Sequence, residues 1–218
     1  APLRGVFGDP HLISIDGAAF DFHRVGEFEL VSTSKVVSQA RYRAMGDGTV
    51  TSALAVASRA TGSRVFIDAQ AGVFINSRSV DFGVVESIDE GEWVVSMSGE
   101  LCDEAEPLTY EVSESSQHKF VVTVRCDSAG SEFLEVLVSL PGEVEGTCKG
   151  LLGNCNGDAE DDETDEDTLA AAFAVTGESS IMYYATGETR RSFVDAAWRS
   201  TATALETCLL YTSPSPRD

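Results

Sequence analysis

The sequence predicts an all-β fold, an antiparallel β-sandwich that ends in a short, mixed or partly helical C-terminal region. Three observations predict it. Apolar and polar residues alternate over many short runs, which is the period of a half-buried strand. Turn signals separate those runs at spacings of roughly 8–12 residues, as in sandwiches and barrels. Helix-period patterns are confined to the end of the chain. The chain has 218 residues, 43% of them hydrophobic and well dispersed, enough for one large domain with a packed core.

Taken in order, 11–15 reads as a strand, Asp16-Gly17 as a turn, and 18–23 as the returning strand with Phe20 and Phe22 on one face. The run 27–32 alternates Phe28 and Leu30 with Glu29 and Val31. Further strands are expected over 36–43, 52–59, 64–68, 72–75, 79–82, 92–97, 108–114, 119–126 and 133–140. Asp47-Gly48, Asn76-Ser77 and Pro141-Gly142 supply turn chemistry between them. Helices are expected over 168–175, which is alanine-rich, and over 191–205, where Phe193, Val194, Ala197 and Trp198 fall at helix-like spacing. The expected organisation is a β domain over 1–165, a partly helical extension over 166–207, and a tail over 208–218. That tail, Cys-Leu-Leu-Tyr-Thr-Ser-Pro-Ser-Pro-Arg-Asp, is similar to the translation of a sequencing adapter. It is expected to be artefactual and is set aside from fold reasoning.

The formal net charge of −21 argues against nucleic acid as a partner, because phosphate binding needs clustered Lys and Arg. It disfavours acidic membrane surfaces for the same reason. No run approaches the length of about 18 apolar residues that a membrane helix needs, so no membrane insertion is expected in this segment. Eight acids and no base occupy residues 158–167. Such blocks are usually solvated loops, the plain reading of 163–167; the beginning of the run reads more sharply as a cation site. With Cys208 set aside in the tail, Cys102, Cys126, Cys148 and Cys155 remain. An even number in a β-rich chain suits an oxidising compartment. Four cysteines allow three pairings, and Cys102 with Cys126 and Cys148 with Cys155 are favoured because each pair brackets a local segment.

Two motifs carry chemistry. The first is Gly8-Asp9-Pro10-His11, followed by Ser14-Ile15-Asp16-Gly17-x-x-Phe20-x-Phe22 and Gly26-Glu27-Phe28-Glu29-Leu30. The second is Gly150-Leu151-Leu152-Gly153-Asn154-Cys155-Asn156-Gly157, followed by Asp161-Asp162. In the second, Asn154, Asn156, Asp158, Asp161 and Asp162 crowd oxygen donors together, and Gly153 and Gly157 permit a tight backbone. Hard Ca²⁺ takes six to eight such oxygens. An EF-hand reading fails: Ala159 stands where the turn glycine belongs, Asp165 replaces the bidentate Glu, and a strand precedes the loop.

Together, in this order, the two motifs resemble the opening and closing signatures of the von Willebrand factor type D domain, firmly from Gly8 to Asp162 and weakly on to Asp195. The resemblance implies a Ca²⁺ site in which Asp16 joins the late loop. Asn154, Asn156, Asp161 and Asp162 would supply side chains and Asp158 a main-chain carbonyl. It also implies an extracellular structural or adhesive module of a larger secreted or cell-surface protein, meeting neighbouring domains or other extracellular proteins. Gly8-Asp9-Pro10-His11 is similar to a self-cleaving site of some mucin-like relatives, with scission between Asp9 and Pro10 and His11 assisting proton transfer. The competing reading makes Asp9 the shaper of an entry turn, Pro10 the residue that fixes its backbone, and His11 a satisfied, half-buried residue. A further alternative is an acidic, ion-sequestering protein.

The chain departs from the cysteine-dense form of the family. Phe28 stands where a Cys is common, and Lys149 and Leu152 occupy the two cysteine positions of the closing signature. Disulfide-linked multimerisation is therefore not carried over, and the pattern looks more like D domains of large mosaic proteins. Enzymatic motifs are missing: there is no G-x-S-x-G elbow, P-loop or H-E-x-x-H.

Overall fold

The computed structural model describes residues 4–82, 87–90, 92–115, 117–142, 146–175 and 179–182. These fall in one compact unit, Ala1–Tyr183. The unit Tyr184–Asp218 lies outside the described residues, and with it the helix expected over 191–205 and the tail.

The alternating runs become strands. Fourteen are present among the described residues: β1 (Gly5–Phe7), β2 (His11–Ile13), β3 (Ala19–Asp21), β4 (Gly26–Ser32), β5 (Val36–Met45), β6 (Gly48–Ser58), β7 (Arg64–Asp68), β8 (Gly72–Ile75), β9 (Arg78–Ser79), β10 (Ser87–Glu90), β11 (Trp93–Ser98), β12 (Thr109–Glu114), β13 (Lys119–Cys126) and β14 (Glu132–Ser139). In β13 the period of two is plain: Phe120, Val122 and Val124 are buried while their neighbours are half-exposed. One antiparallel meander runs β10 to β14 and continues through β1, β2 and β3; another runs β4 to β9. The two meet at a single pair, Leu134 of β14 against Thr51 of β6. The hydrogen-bonded ladder is thus continuous, and the all-β expectation holds. Leu12, Phe22, Tyr42, Leu54, Ile67, Trp93, Phe120 and Leu134 share one buried cluster.

Three expected strands, 64–68, 72–75 and 119–126, match β7, β8 and β13. The β8–β9 hairpin closes through Asn76 and Ser77 at φ 49° and 68°, the left-handed pair a two-residue turn requires. The turn near Asp47 falls one residue early, because Met45 pairs with Gly48 and leaves Gly46 and Asp47 at the bend. Two short strands had no sequence signal. Three-residue β1 exists because β14 and β2 pair with both its edges, and β10 depends on β11. The helix α1 spans Glu166–Phe173, two residues earlier than expected, because Asp165 caps it: its carboxylate accepts the Thr168 N–H at 2.9 Å. That bond, with a second from the Thr168 hydroxyl, holds the Asp165 carboxyl below the usual carboxylate range. The cysteines pair as Cys102–Cys126 and Cys148–Cys155, with Cα atoms 5.3 and 5.6 Å apart.

Where the two meanders face each other, His118 is fully buried and its Nε2 lies 3.1 Å from the Thr33 hydroxyl. Burial pushes the His118 pKa below the ordinary value, against the raising influence of Glu114 and with a small lowering from Lys35. The imidazole is therefore kept neutral by folding. Its contribution to stability is complete above the unfolded value of about 6.5 and is lost as pH falls through the lowered folded value. Urea midpoints measured from pH 7 to pH 5 are expected to fall more steeply for the wild type than for His118→Asn. Equal slopes would remove His118 as the titrating group.

Candidate functional site

The late motif is fastened to the edge of β4. A β-bulge between Glu29 and Val31 shifts the β4–β5 register, and the opposite edge of β4, which pairs with no named strand, receives residues 149–152. Ser32 and Lys149 exchange both backbone hydrogen bonds, and the Leu151 and Leu152 N–H groups donate to the carbonyls of Glu29 and Leu30. Leu151 and Leu152 are fully buried, which fixes the segment in the core. Farther along the same edge, the Val175 N–H donates to the Glu27 carbonyl. An otherwise open strand edge is thus covered twice.

From that anchor the loop reaches the first hairpin. The Ile15 N–H donates to the Leu152 carbonyl at 2.9 Å. The buried Asp162 carboxylate accepts the Ser14 hydroxyl at 2.6 Å and the Asn154 N–H at 3.2 Å. Ser14 in turn accepts the N–H groups of Gly17 and Ala18, which closes the hairpin turn. Asp16 accepts the N–H groups of Asn156 and Gly157, each at 3.0 Å. Asp161 accepts the side-chain amides of Asn154 at 3.0 Å and Asn156 at 2.7 Å. The Asn156 side-chain oxygen accepts the Asp158 N–H at 2.7 Å.

All six residues singled out from the sequence as oxygen donors, Asp16, Asn154, Asn156, Asp158, Asp161 and Asp162, therefore belong to one hydrogen-bonded network. Within it they differ. Asp162 is buried and engaged as a latch, whereas Asn156, Asp158 and Asp161 are exposed. Among the described residues, no three His, Cys, Asp or Glu side chains form a metal-holding group by themselves. Ser14 was not foreseen as part of the site; its signal is its place two residues before the turn aspartate, with its hydroxyl able to bridge turn and loop. The later acids also have partners: Glu166 accepts the His23 N–H and lies 3.3 Å from Arg24, and Asp167 pairs with Arg24. The plain reading of 163–167 as solvated acid thus misses a second tie between the first hairpin and α1.

The Asp9-Pro10 junction lies beside two histidine–aspartate pairs. His11 pairs with Asp21 at 2.5 Å, its cross-strand partner in the β2–β3 hairpin. The Asp9 carboxylate instead accepts the Thr49 N–H at 3.2 Å and lies 3.6 Å from His23. Pro10 is buried, and its carbonyl accepts the Phe22 N–H. His11 is thus not brought to Asp9.

A model of the von Willebrand factor type D domain matches residues 5–169. Human mucin-4 is 29% identical over 178 residues, a match that covers 72% of this chain and 3% of mucin-4. The chain thus spans a small fraction of the length of that relative. With the hairpin and late-loop motifs at the two ends of the matched region, the chain belongs to the von Willebrand factor type D domain family.

Proposed function

We propose that this domain is an extracellular, Ca²⁺-stabilised structural module of a larger secreted or cell-surface protein, one that holds neighbouring domains or extracellular partners rather than performing catalysis. The observation that carries the reading is the convergence on Asn156. Asp16, from the first hairpin, meets its backbone, and Asp161 meets its side chain. The donors fit a hard cation: they are carboxylate, amide and carbonyl oxygens, with both sulfurs of the adjacent Cys148 and Cys155 committed to a disulfide. Asp16, Asn154, Asn156 and Asp161 would hold the ion through side chains and Asp158 through its carbonyl. Asp162 would contribute through lone pairs left beside its bonds to Ser14 and Asn154. A bound Ca²⁺ would supply positive charge that offsets repulsion among Asp16, Asp158 and Asp161. Two disulfides suit an oxidising compartment. Among the described residues, no helix is long and apolar enough to cross a membrane.

An extracellular calcium module binds with a Kd on the order of 10⁻⁴–10⁻³ M. At 10 mM Ca²⁺ that is worth roughly 1.4–2.7 kcal/mol, or about 3–10 °C in Tm. Differential scanning fluorimetry with Ca²⁺, and with Mg²⁺ as a comparison, should show that rise in the wild type. Asp16→Ala and Asp161→Ala should abolish it. A wild-type Tm indifferent to Ca²⁺ sinks the reading, and many weakly bound ions insensitive to either substitution would favour an ion-sequestering role.

A further inference from the structure

The outward face of β5, β6 and β7 carries a row of small side chains along its central strand. Along β6 the sequence Ala53-Leu54-Ala55-Val56-Ala57 alternates small and large side chains. Leu54 and Val56 enter the core cluster, while the three alanines line up on the opposite face. Register places Gln39 of β5 and Phe66 of β7 on either side of Ala55, and Arg41 beside Ala53. The Arg41 guanidinium reaches across this row of methyl groups and lies 5.9 Å from the centre of the Phe66 ring. An outward sheet face of a free-standing domain would instead carry polar residues on its central strand. Here Ala53, Ala55 and Ala57 are buried.

A stretch of the chain itself crosses this face. Gln39 uses both ends of its amide on it, donating to the Ser179 carbonyl and accepting the Ile181 N–H, each at 2.8 Å. Arg64 donates to the Ile181 carbonyl at 3.1 Å. The Ser180 hydroxyl donates to Glu27 at 2.8 Å, and Glu27 is held by the buried Arg41. Met182 is buried. The segment is thus held through two of its backbone groups by one amide, and by one side-chain hydroxyl and one apolar anchor.

We propose that this face is a docking surface for the chain's own segment Ser179–Met182, and that the folded module therefore extends past residue 169, where the family match ends. The surface takes a segment in which a small hydroxyl residue, Ser180, is followed by two apolar ones, Ile181 and Met182. The inference does not depend on the cation loop, which lies at the β4 edge and the first hairpin.

Amide hydrogen exchange on the full chain tests it. The Ile181 N–H should exchange at least 10-fold slower than in a free peptide of the same sequence. Gln39→Ala, which removes the amide that holds Ser179 and Ile181, and Ala55→Leu, which adds bulk at the centre of the buried face, should each speed that exchange 10-fold or more and leave the Val122 amide of β13 protected. Free-peptide exchange at Ile181 in the wild type would overturn the proposal whatever the variants do. So would protection of Ile181 that neither substitution changes.

Discussion

Gly150→Ala is expected to cost about 4 kcal/mol or more of folding stability, at the upper end for a single substitution. Gly150 has φ +137°, a region that L residues rarely adopt. A Cβ there would lie 2.5 Å from the Leu30 carbonyl oxygen and 3.0 Å from the Val31 Cα, both backbone atoms that cannot swing away. Relief requires moving 149–152 off β4. That movement gives up the reciprocal Ser32–Lys149 bonds, the Leu151 and Leu152 bonds to Glu29 and Leu30, and the burial of both leucines. Gly62→Ala is the matched control. Gly62 also has positive φ, +73°, but a Cβ there meets nothing within 4 Å, so backbone strain of about 1–2 kcal/mol is the whole expected loss. Urea unfolding of the two variants separates steric exclusion from strain. Similar losses in both would mean that the close approach of Gly150 to β4 is not what holds the loop. Because Leu152 also accepts the Ile15 N–H, a displaced anchor should carry the hairpin contact with it, and any Ca²⁺ response should weaken in Gly150→Ala.

Strands with one buried face were legible in the sequence, because their period of two is what burial of one face imposes. That is why 119–126, 64–68 and 72–75 coincide with β13, β7 and β8. Legibility failed where both faces are covered. In β4 the alternation sets Glu29 and Val31 on the face opposite Phe28 and Leu30, yet Val31 is fully buried, and Glu27 is buried as well. The described cover includes late segments, 149–152, 174–175 and 179–182, whose arrival no local pattern announces. The oxygen-rich loop was legible because its donors are close in sequence. The partner it reaches, Asp16, entered through family resemblance, and Ser14 did not enter as a site residue, since its place before the turn aspartate does not say which carboxylate arrives from 148 residues away. His11 was read as the neighbour of Asp9 because they are close in sequence. On a strand, however, cross-strand register decides contact: His11 meets Asp21, and Asp9 meets His23.

The second large effect is expected at Glu27. Its side chain is fully buried, with Oε1 accepting the Arg41 guanidinium at 3.1 and 3.2 Å and Oε2 accepting the Ser180 hydroxyl. Glu27→Met takes the carboxylate away from a buried guanidinium and leaves the Ser180 hydroxyl without its carboxylate acceptor. Removing one member of a buried pair costs about 3–5 kcal/mol, chiefly because the remaining charge stays desolvated. Arg41→Met alone should cost a similar amount for the mirrored reason. The double variant Glu27→Met with Arg41→Met removes both charges while keeping side-chain length, so it should recover most of the loss, a non-additivity of at least about 2 kcal/mol in a double-mutant cycle. Additive losses would show that the pair is not coupled in solution. Hydrogen exchange on the double variant then separates two jobs held by one carboxylate. Stability should return because no charge is buried alone, whereas the Ile181 amide should still exchange faster than in the wild type, because methionine offers the Ser180 hydroxyl no carboxylate. If stability and Ile181 protection return together, Gln39 and Arg64 suffice to hold the segment, and the Ser180–Glu27 bond contributes nothing to its recognition.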